Sequence, residues 1–270
     1  MNRLAKQSMI AGIFLIIVSV LGWLLYRVVV PAPTCSDGIQ NGAEEGVDCG
    51  VSACTNLCVS PVMPIVVSTP LLLSAGAGSD VLVELQNRNP LYGASVVPYT
   101  LTVFDASGAI LTTRRGVEYV NPGVSRYILF PLGAQSKSPA RAELSLDLSA
   151  ITWATLTQDV KGDVQFGVRN ESLNVTSDEV RYSASVLNKS KFAFDTVDVM
   201  VLLVDKNNTI VSATSTVQRT LLPGEERAFV MTWPFAVADA VRAQVIVTTN
   251  IFANDNFIRA YGSQTPTQGF

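Results

Sequence analysis

TVFDASGAIL, residues 102–111, and LLVDKNNTIV, residues 202–211, are one pattern written twice: an apolar run closing on an aspartate, a polar turn, then a second apolar run. In each, an aspartate (Asp105, Asp205) is suited to accept hydrogen bonds from turn N–H groups, and Gly108 or Asn208 takes the positive φ that reverses the chain. Working outward, Asn87 in ELQNRNP answers Asn188 in VLNKSK, and Asn121-Pro122-Gly123 answers Leu222-Pro223-Gly224. From first pair to last, the separations are 101, 100 and 101 residues. Val81, Val83 and Leu85 alternate with Leu82, Glu84 and Gln86; Val180, Tyr182, Ala184 and Val186 alternate with Arg181, Ser183 and Ser185. Leu144, Leu146 and Leu148 follow the same period against Glu143, Ser145 and Asp147. Period two predicts half-buried strands. A repeat near 100 residues, with about seven short strands per copy, predicts two tandem immunoglobulin-like or fibronectin-like β-sandwiches. Their expected bounds are 61–157 and 162–260, with TLTQDVKGD at 155–163 as the joint and 261–270 as a flexible tail.

Composition narrows the chemistry. The 270 residues contain no histidine, which excludes Ser-His-Asp and Cys-His catalysis, histidine metal ligands and an imidazole switch. A net charge of -3 gives no basic footprint for nucleic acid. Asp105 and Asp205 are read as turn residues, and Trp153 and Trp233 as packing residues rather than ligand platforms. Asn170, Asn174, Asn188 and Asn207 each begin an N-x-[ST] sequon.

The amino-terminal region is of a different kind. MIAGIFLIIVSVLGWLLY, residues 9–26, has no charge, and a helix over 9–30 matches the roughly 30 Å of a bilayer core if Arg27 snorkels to the headgroups. Trp23 and Tyr26 lie near its end, where amphipathic rings favour the interface. Arg3 and Lys6 precede the run, and after Arg27 no basic residue occurs until Arg88. The expectation is a single-pass anchor with residues 1–8 cytoplasmic and everything beyond it extracytoplasmic. A cleaved signal peptide and lipidation at Cys35 fit less well, for want of a small-residue cleavage site.

All four cysteines, Cys35, Cys49, Cys54 and Cys58, fall between residues 31 and 60. Outside the cytoplasm an even set predicts two disulfides, with three connectivities open. Dense glycine at 38, 42, 46 and 50 predicts successive tight turns, and a segment this short needs covalent staples in place of a core. Asp37, Asn41, Glu44 and Asp48 are hard oxygen donors, a candidate calcium set, although their spacing does not match an EF-hand loop. The alternative is that they cap the turns. No other cofactor is expected.

CSDGIQNGAEEGVDCG, residues 35–50, resembles a cysteine motif recurring in secreted and surface-anchored bacterial proteins, C-x-D-G-x-x-N-G-x-E-x-G-V-D-C-G-G-x-C-x-x-C. It departs at Val51 and in the Cys54–Cys58 spacing. The second repeat resembles the FxLYD-type domain, through Val186-Leu187-Asn188, Val204-Asp205-Lys206-Asn207, Leu221-Leu222-Pro223-Gly224-Glu225 and Phe229. The resemblance implies an accessory or interaction module and brings no catalytic residues. The function expected from the whole sequence is non-enzymatic: a membrane-anchored protein displaying tandem sandwiches to a protein partner or an envelope assembly. The alternative is an extracytoplasmic hydrolase, or an accessory subunit of an envelope enzyme or a secretion or pilus-like assembly.

Overall fold

A computed structural model describes residues 3–29, 35–42, 44, 47–50, 54, 62–134, 137–160, 162–237 and 239–262. The chain divides into two compact units, Met1–Pro61 and Val62–Phe270.

In the first unit, helix α1 spans Arg3–Val29. Its interior lacks proline, and its leucines, isoleucines and valines leave the backbone no better hydrogen-bond partner than itself. Among the described residues no helix is long and apolar enough to cross a membrane. In α1 the side chains described without a break are those of 11–26. The structure thus contains a helix where one was expected over 9–30, and bilayer crossing is a reading of the sequence, taken up below.

The second unit is mainly β, with its sheets stacked as sandwiches. In the first half, β1 (Val66–Val67) and β2 (Leu71–Ala75) occupy successive stretches of one edge of β3 (Gly78–Gln86), and β6 (Ser125–Gly133) pairs along the other. The facing sheet is built on β4 (Tyr92–Phe104), with β5 (Ile110–Val120) on one edge and β7 (Arg141–Leu146) and β8 (Thr152–Thr155) on the other. The second half repeats this with β9 (Phe166–Val175), β10 (Val180–Asn188) and β13 (Glu226–Trp233) in one sheet. Its other sheet holds β12 (Ile210–Leu221), β11 (Phe194–Val204) and β14 (Arg242–Thr248). Each half therefore has six strand positions where about seven were expected, because the sheets are three strands wide.

Each half has its own core. Val81, Val83 and Leu85 meet Val97, Leu101 and Val103 in the first, and Tyr182, Ala184 and Val186 meet Val197, Val199, Val201 and Leu203 in the second. A third cluster joins the halves: Leu73 and Leu82 pack against Met200, Leu202 and Ala213, flanked by Tyr127, Leu129, Ile210 and Ile246. The outer face of the β2-β3-β6 sheet thus lies on the outer face of β12-β11-β14. The Val62–Phe270 unit is consequently a stack of four sheets. Here the expectation of a half-buried strand is corrected for β3, and β11 is covered in the same way. Leu82 is 1% exposed, and Met200 to Val204 are buried without alternation. A strand covered on both faces has no polar side to show, so its sequence reads as a continuous apolar run, as VMVLLV does.

A second difference concerns the end of the chain. Residues 255–261, expected partly in a strand domain and partly in a flexible tail, form helix α2 (Asp255–Tyr261). Asn254 caps it, its side chain accepting from Phe257 N–H at 2.9 Å and donating to Ala193 C=O at 2.6 Å. Seven residues carry too little periodicity to be recognised beforehand; tertiary contact stabilises them. Phe257, fully buried, joins Leu156, Val160 and Ile251 over the joint, and Phe192 lies edge-on to both Phe257 and Tyr261. Thr157 N–H donates to Tyr261 C=O at 2.9 Å, tying the joint to the helix. Residues 263–270 lie outside the described part.

Candidate functional site

Among the described residues, polar chemistry gathers in the cysteine module, at the turn landmarks of the two sandwiches and at the seam between them.

In the module Cys35 is bonded to Cys54, with Cα atoms 5.7 Å apart, and Cys49 is also disulfide-bonded. Cys58 lies outside the described residues. Gly38 and Gly42 adopt φ of 73° and 63°, and Asp48 itself sits at 54°, a conformation that asparagine and aspartate tolerate because the side chain bonds locally. The four candidate calcium donors are linked in one hydrogen-bonded chain. Asp48 accepts from Asp37 N–H at 2.8 Å and, through its other oxygen, from Gly38 N–H at 2.9 Å. Asp37 accepts from Ile39 N–H at 2.9 Å and from the Asn41 amide at 3.0 Å, and Glu44 accepts from Asn41 N–H at 3.2 Å. These carboxylates face N–H donors, which is what turn capping requires. The Glu44 carboxylate also lies beside Cys35 and Cys54. Sulfurs spent in a disulfide are not thiolates, so that trio lacks the chemistry of a metal site.

The repeated landmarks perform the same work in both sandwiches. The amide of Asn87 donates to Tyr92 and Asn121 C=O at 2.7 and 3.1 Å; that of Asn188 donates to Phe192 and Leu221 C=O at the same distances. Each oxygen accepts an N–H two residues on, Asn89 or Ser190, at 3.0 Å. Asp105 accepts from Ser107 and Ala109 N–H, and Asp205 from Asn207 and Thr209 N–H, all between 2.8 and 3.0 Å. Lys137, at 2.8 Å, and Ser107 hold the Asp105 carboxyl well below the ordinary carboxylate range, and turn N–H groups lower that of Asp205. These residues close turns in both sandwiches. Trp233 is buried in the second core and Trp153 packs against the first. Of the sequons, Asn188 is fully buried and bonded through both ends of its amide, so the folded protein offers no acceptor there.

The seam is the chemistry that sequence reasoning missed. Arg126, on β6, lies 3.8 Å over the ring of Tyr119 and pairs with Glu118 at 2.8 Å and, across the seam, Asp198 at 3.1 Å. Tyr119 O–H donates to Asp198 at 3.0 Å, and Asn121 donates to Thr249 C=O at 2.8 Å. Burial works against the Arg126 charge, yet Tyr119, Glu118 and Asp198 hold its pKa above the ordinary arginine value; burial first, then Asp198, pushes the Tyr119 phenol up. Beside this cluster is a cleft of about 150 Å³ walled by Glu118, Arg126, Asp198, Met200, Thr216 and Ile246. Its carboxylates are paired to the arginine, an arrangement that orients and locks rather than one that moves protons. A second cavity of about 140 Å³, walled mainly by Pro122, Val124, Val160, Val164, Phe166 and Ile251, is apolar. The available sequence signal was Asp198, a charge inside β11, whose sequence from Val197 onward is otherwise a continuous apolar run.

No family model and no curated protein matches the chain. Among solved structures it is similar to the transglutaminase of red sea bream, at 10% identity over 71% of this chain and 31% of that one, with a TM-score of 0.21. It is also similar to the Parabacteroides merdae β-glucuronidase, at 9% identity over 82% and 33%, TM-score 0.22. The N-terminal CBM22-1–CBM22-2 tandem domain of Paenibacillus barcinonensis Xyn10C aligns at 10% identity over 72% and 87%, TM-score 0.16. The chain spans about a third of the length of the first two. Scores this low carry no argument about function.

Proposed function

We propose that this is a single-pass membrane protein that holds a stapled cysteine module and a pair of β-sandwiches outside the cytoplasm for recognition of a protein partner or assembly into an envelope structure. The observation that carries the reading is α1. Its 27 residues, at 1.5 Å each, extend about 40 Å, and residues 9–26 are uncharged. Phe14, Leu15 and Ile16 are each 65% exposed and Ile17 51%. Four consecutive residues cover the full circumference of a helix, so α1 is apolar on every side at residues 14–17, and in water such a surface aggregates. Lipid is the solvent that suits it. Arg3 and Lys6 ahead of the run orient the amino terminus to the cytoplasm, and disulfides persist on the opposite side.

The sandwich landmarks support recognition over turnover. Their asparagines and aspartates are consumed by turns, and the charged cluster at the seam is internally paired. Reporter fusions after Phe270 test the topology: a periplasm- or surface-dependent enzyme should be active there and a cytoplasm-dependent one silent. The reverse pattern, or release of the chain from membranes by alkaline carbonate, would overturn the anchor. For recognition, crosslinking in native membranes should trap the sandwiches with the same protein repeatedly. Turnover of a substrate by the purified chain would favour the hydrolase reading instead.

A further inference from the structure

The two sandwiches share landmarks and core positions but not outer faces, and the way those faces diverge is informative. The seam uses the β2-β3-β6 face of the first sandwich and the β12-β11-β14 face of the second. The repeat therefore leaves two equivalent faces outside the seam, β9-β10-β13 of the second and β5-β4-β7 of the first. Numbered by the pairing registers, Leu73 and Leu82 of the seam correspond to Asn174 and Ser183 on the face outside it. From the other side, Met200, Leu202, Ala213 and Ile246 correspond to Thr100, Thr102, Thr113 and Ser145. The inward residues of the same strands stay apolar in both copies: Leu101 and Val103 are fully buried, as are Val201 and Leu203. Divergence is thus confined to the side that meets the other sandwich in one copy and lies outside the seam in the other. Val230 on one face and Ile110 and Val117 on the other, at 51%, 62% and 59% exposure, are apolar remnants of the stacking surface at scattered positions.

We propose that the stack is closed. Its apolar interface is reserved for the other sandwich of the same chain, and the two outer faces are kept polar so that the equivalent face of a second copy cannot add to it. Repeats whose equivalent faces both remained apolar would associate head to tail without limit, the heterologous geometry that gives fibres. Terminal faces of a stacked array are polar for this reason. The proposal goes beyond the membrane reading and does not depend on it.

The test restores the missing halves in the full chain, solubilised in density-matched detergent. One variant carries Thr100→Met, Thr102→Leu and Ser145→Ile; the other carries Asn174→Leu and Ser183→Leu. By analytical sedimentation, the unaltered chain is expected to travel as one copy, and the mixed variants are expected to form a complex of twice the chain mass that neither forms alone. A mixture with no such complex would overturn the proposal. So would an unaltered chain that already pairs and is dispersed by Thr102→Lys or Ser183→Lys. A second measurement stands if the additions misfold. Leu82→Ser combined with Leu202→Thr writes the outer-face residues into the seam, and is expected to split one thermal transition of the sandwiches into two; an unsplit transition would count against a dedicated interface.

Discussion

The cysteine module and the sandwiches solve the same problem by opposite means. Among the described residues of 35–54, backbone N–H groups donate to the side chains of Asp37, Glu44 and Asp48, and the buried apolar residue is Cys54, itself half of a disulfide. In residues 62–262 there is no cysteine, and among the described residues order rests on four apolar clusters and continuous strand ladders. The difference teaches where a chain can dispense with covalent staples: once a segment can bury apolar side chains on a second layer, burial at about 25 cal/mol per Å² outweighs loop-closure entropy.

Reduction is the sharpest way to break the comparison. A mild reductant should abolish amide-exchange protection across 35–54, since a disulfide closing a loop of this size supplies about 3 kcal/mol to a segment with little else. The sandwiches should melt at an unchanged temperature, and a drop there would mean that the two regions are not separately stabilised. Next in size is Leu203→Ala, in the second core, at about 2–5 kcal/mol by denaturant titration. Its neighbour Leu202→Ala, on the opposite face of the same strand, should fall in the same range if the seam is packed like a core; a cost below about 1 kcal/mol would mark the seam as wet. Asn188→Ala should cost about 3 kcal/mol, because it removes the buried amide's bond to the Leu221 carbonyl and one of the two donors to the Phe192 carbonyl. The smallest effect is acidic. Asp105, Asp205 and Glu225 have pKa values lowered in the folded protein, so the folded state binds fewer protons than the unfolded one. Their contribution is complete above about pH 4 and is lost as pH falls below it. Asp105→Asn should make the stability of the first sandwich less pH-dependent in that window, and an unaltered profile would remove Asp105 from the account.

Much of this was legible beforehand because it is local or periodic. The Asp105 and Asp205 turns, the Asn87 and Asn188 positions and the alternation of Val180 to Val186 each carry their signal within a few residues. The stacking of the two sandwiches did not. Leu82 in the first sandwich looks like one polar-face exception in an alternating strand, and its neighbours in space, Met200 and Leu202, lie more than a hundred residues away. Arg126 was equally opaque: a surface arginine and one stacked on Tyr119 between two carboxylates are written with the same letter. Helix α2 was missed because seven residues hold together through Phe257 and its contacts, not through propensity.

By itself, then, the sequence determined the repeat, the class of fold, the turns that close each sandwich and an eighteen-residue uncharged run in α1, since these depend on residue type and spacing along the chain. Only the tertiary structure decided that the sandwiches stack face to face, that β3 and β11 are covered on both sides, and that Arg126 ties Glu118 to Asp198. Burial is a property of what lies across from a face, and period two states that a strand has two faces without stating what covers either one.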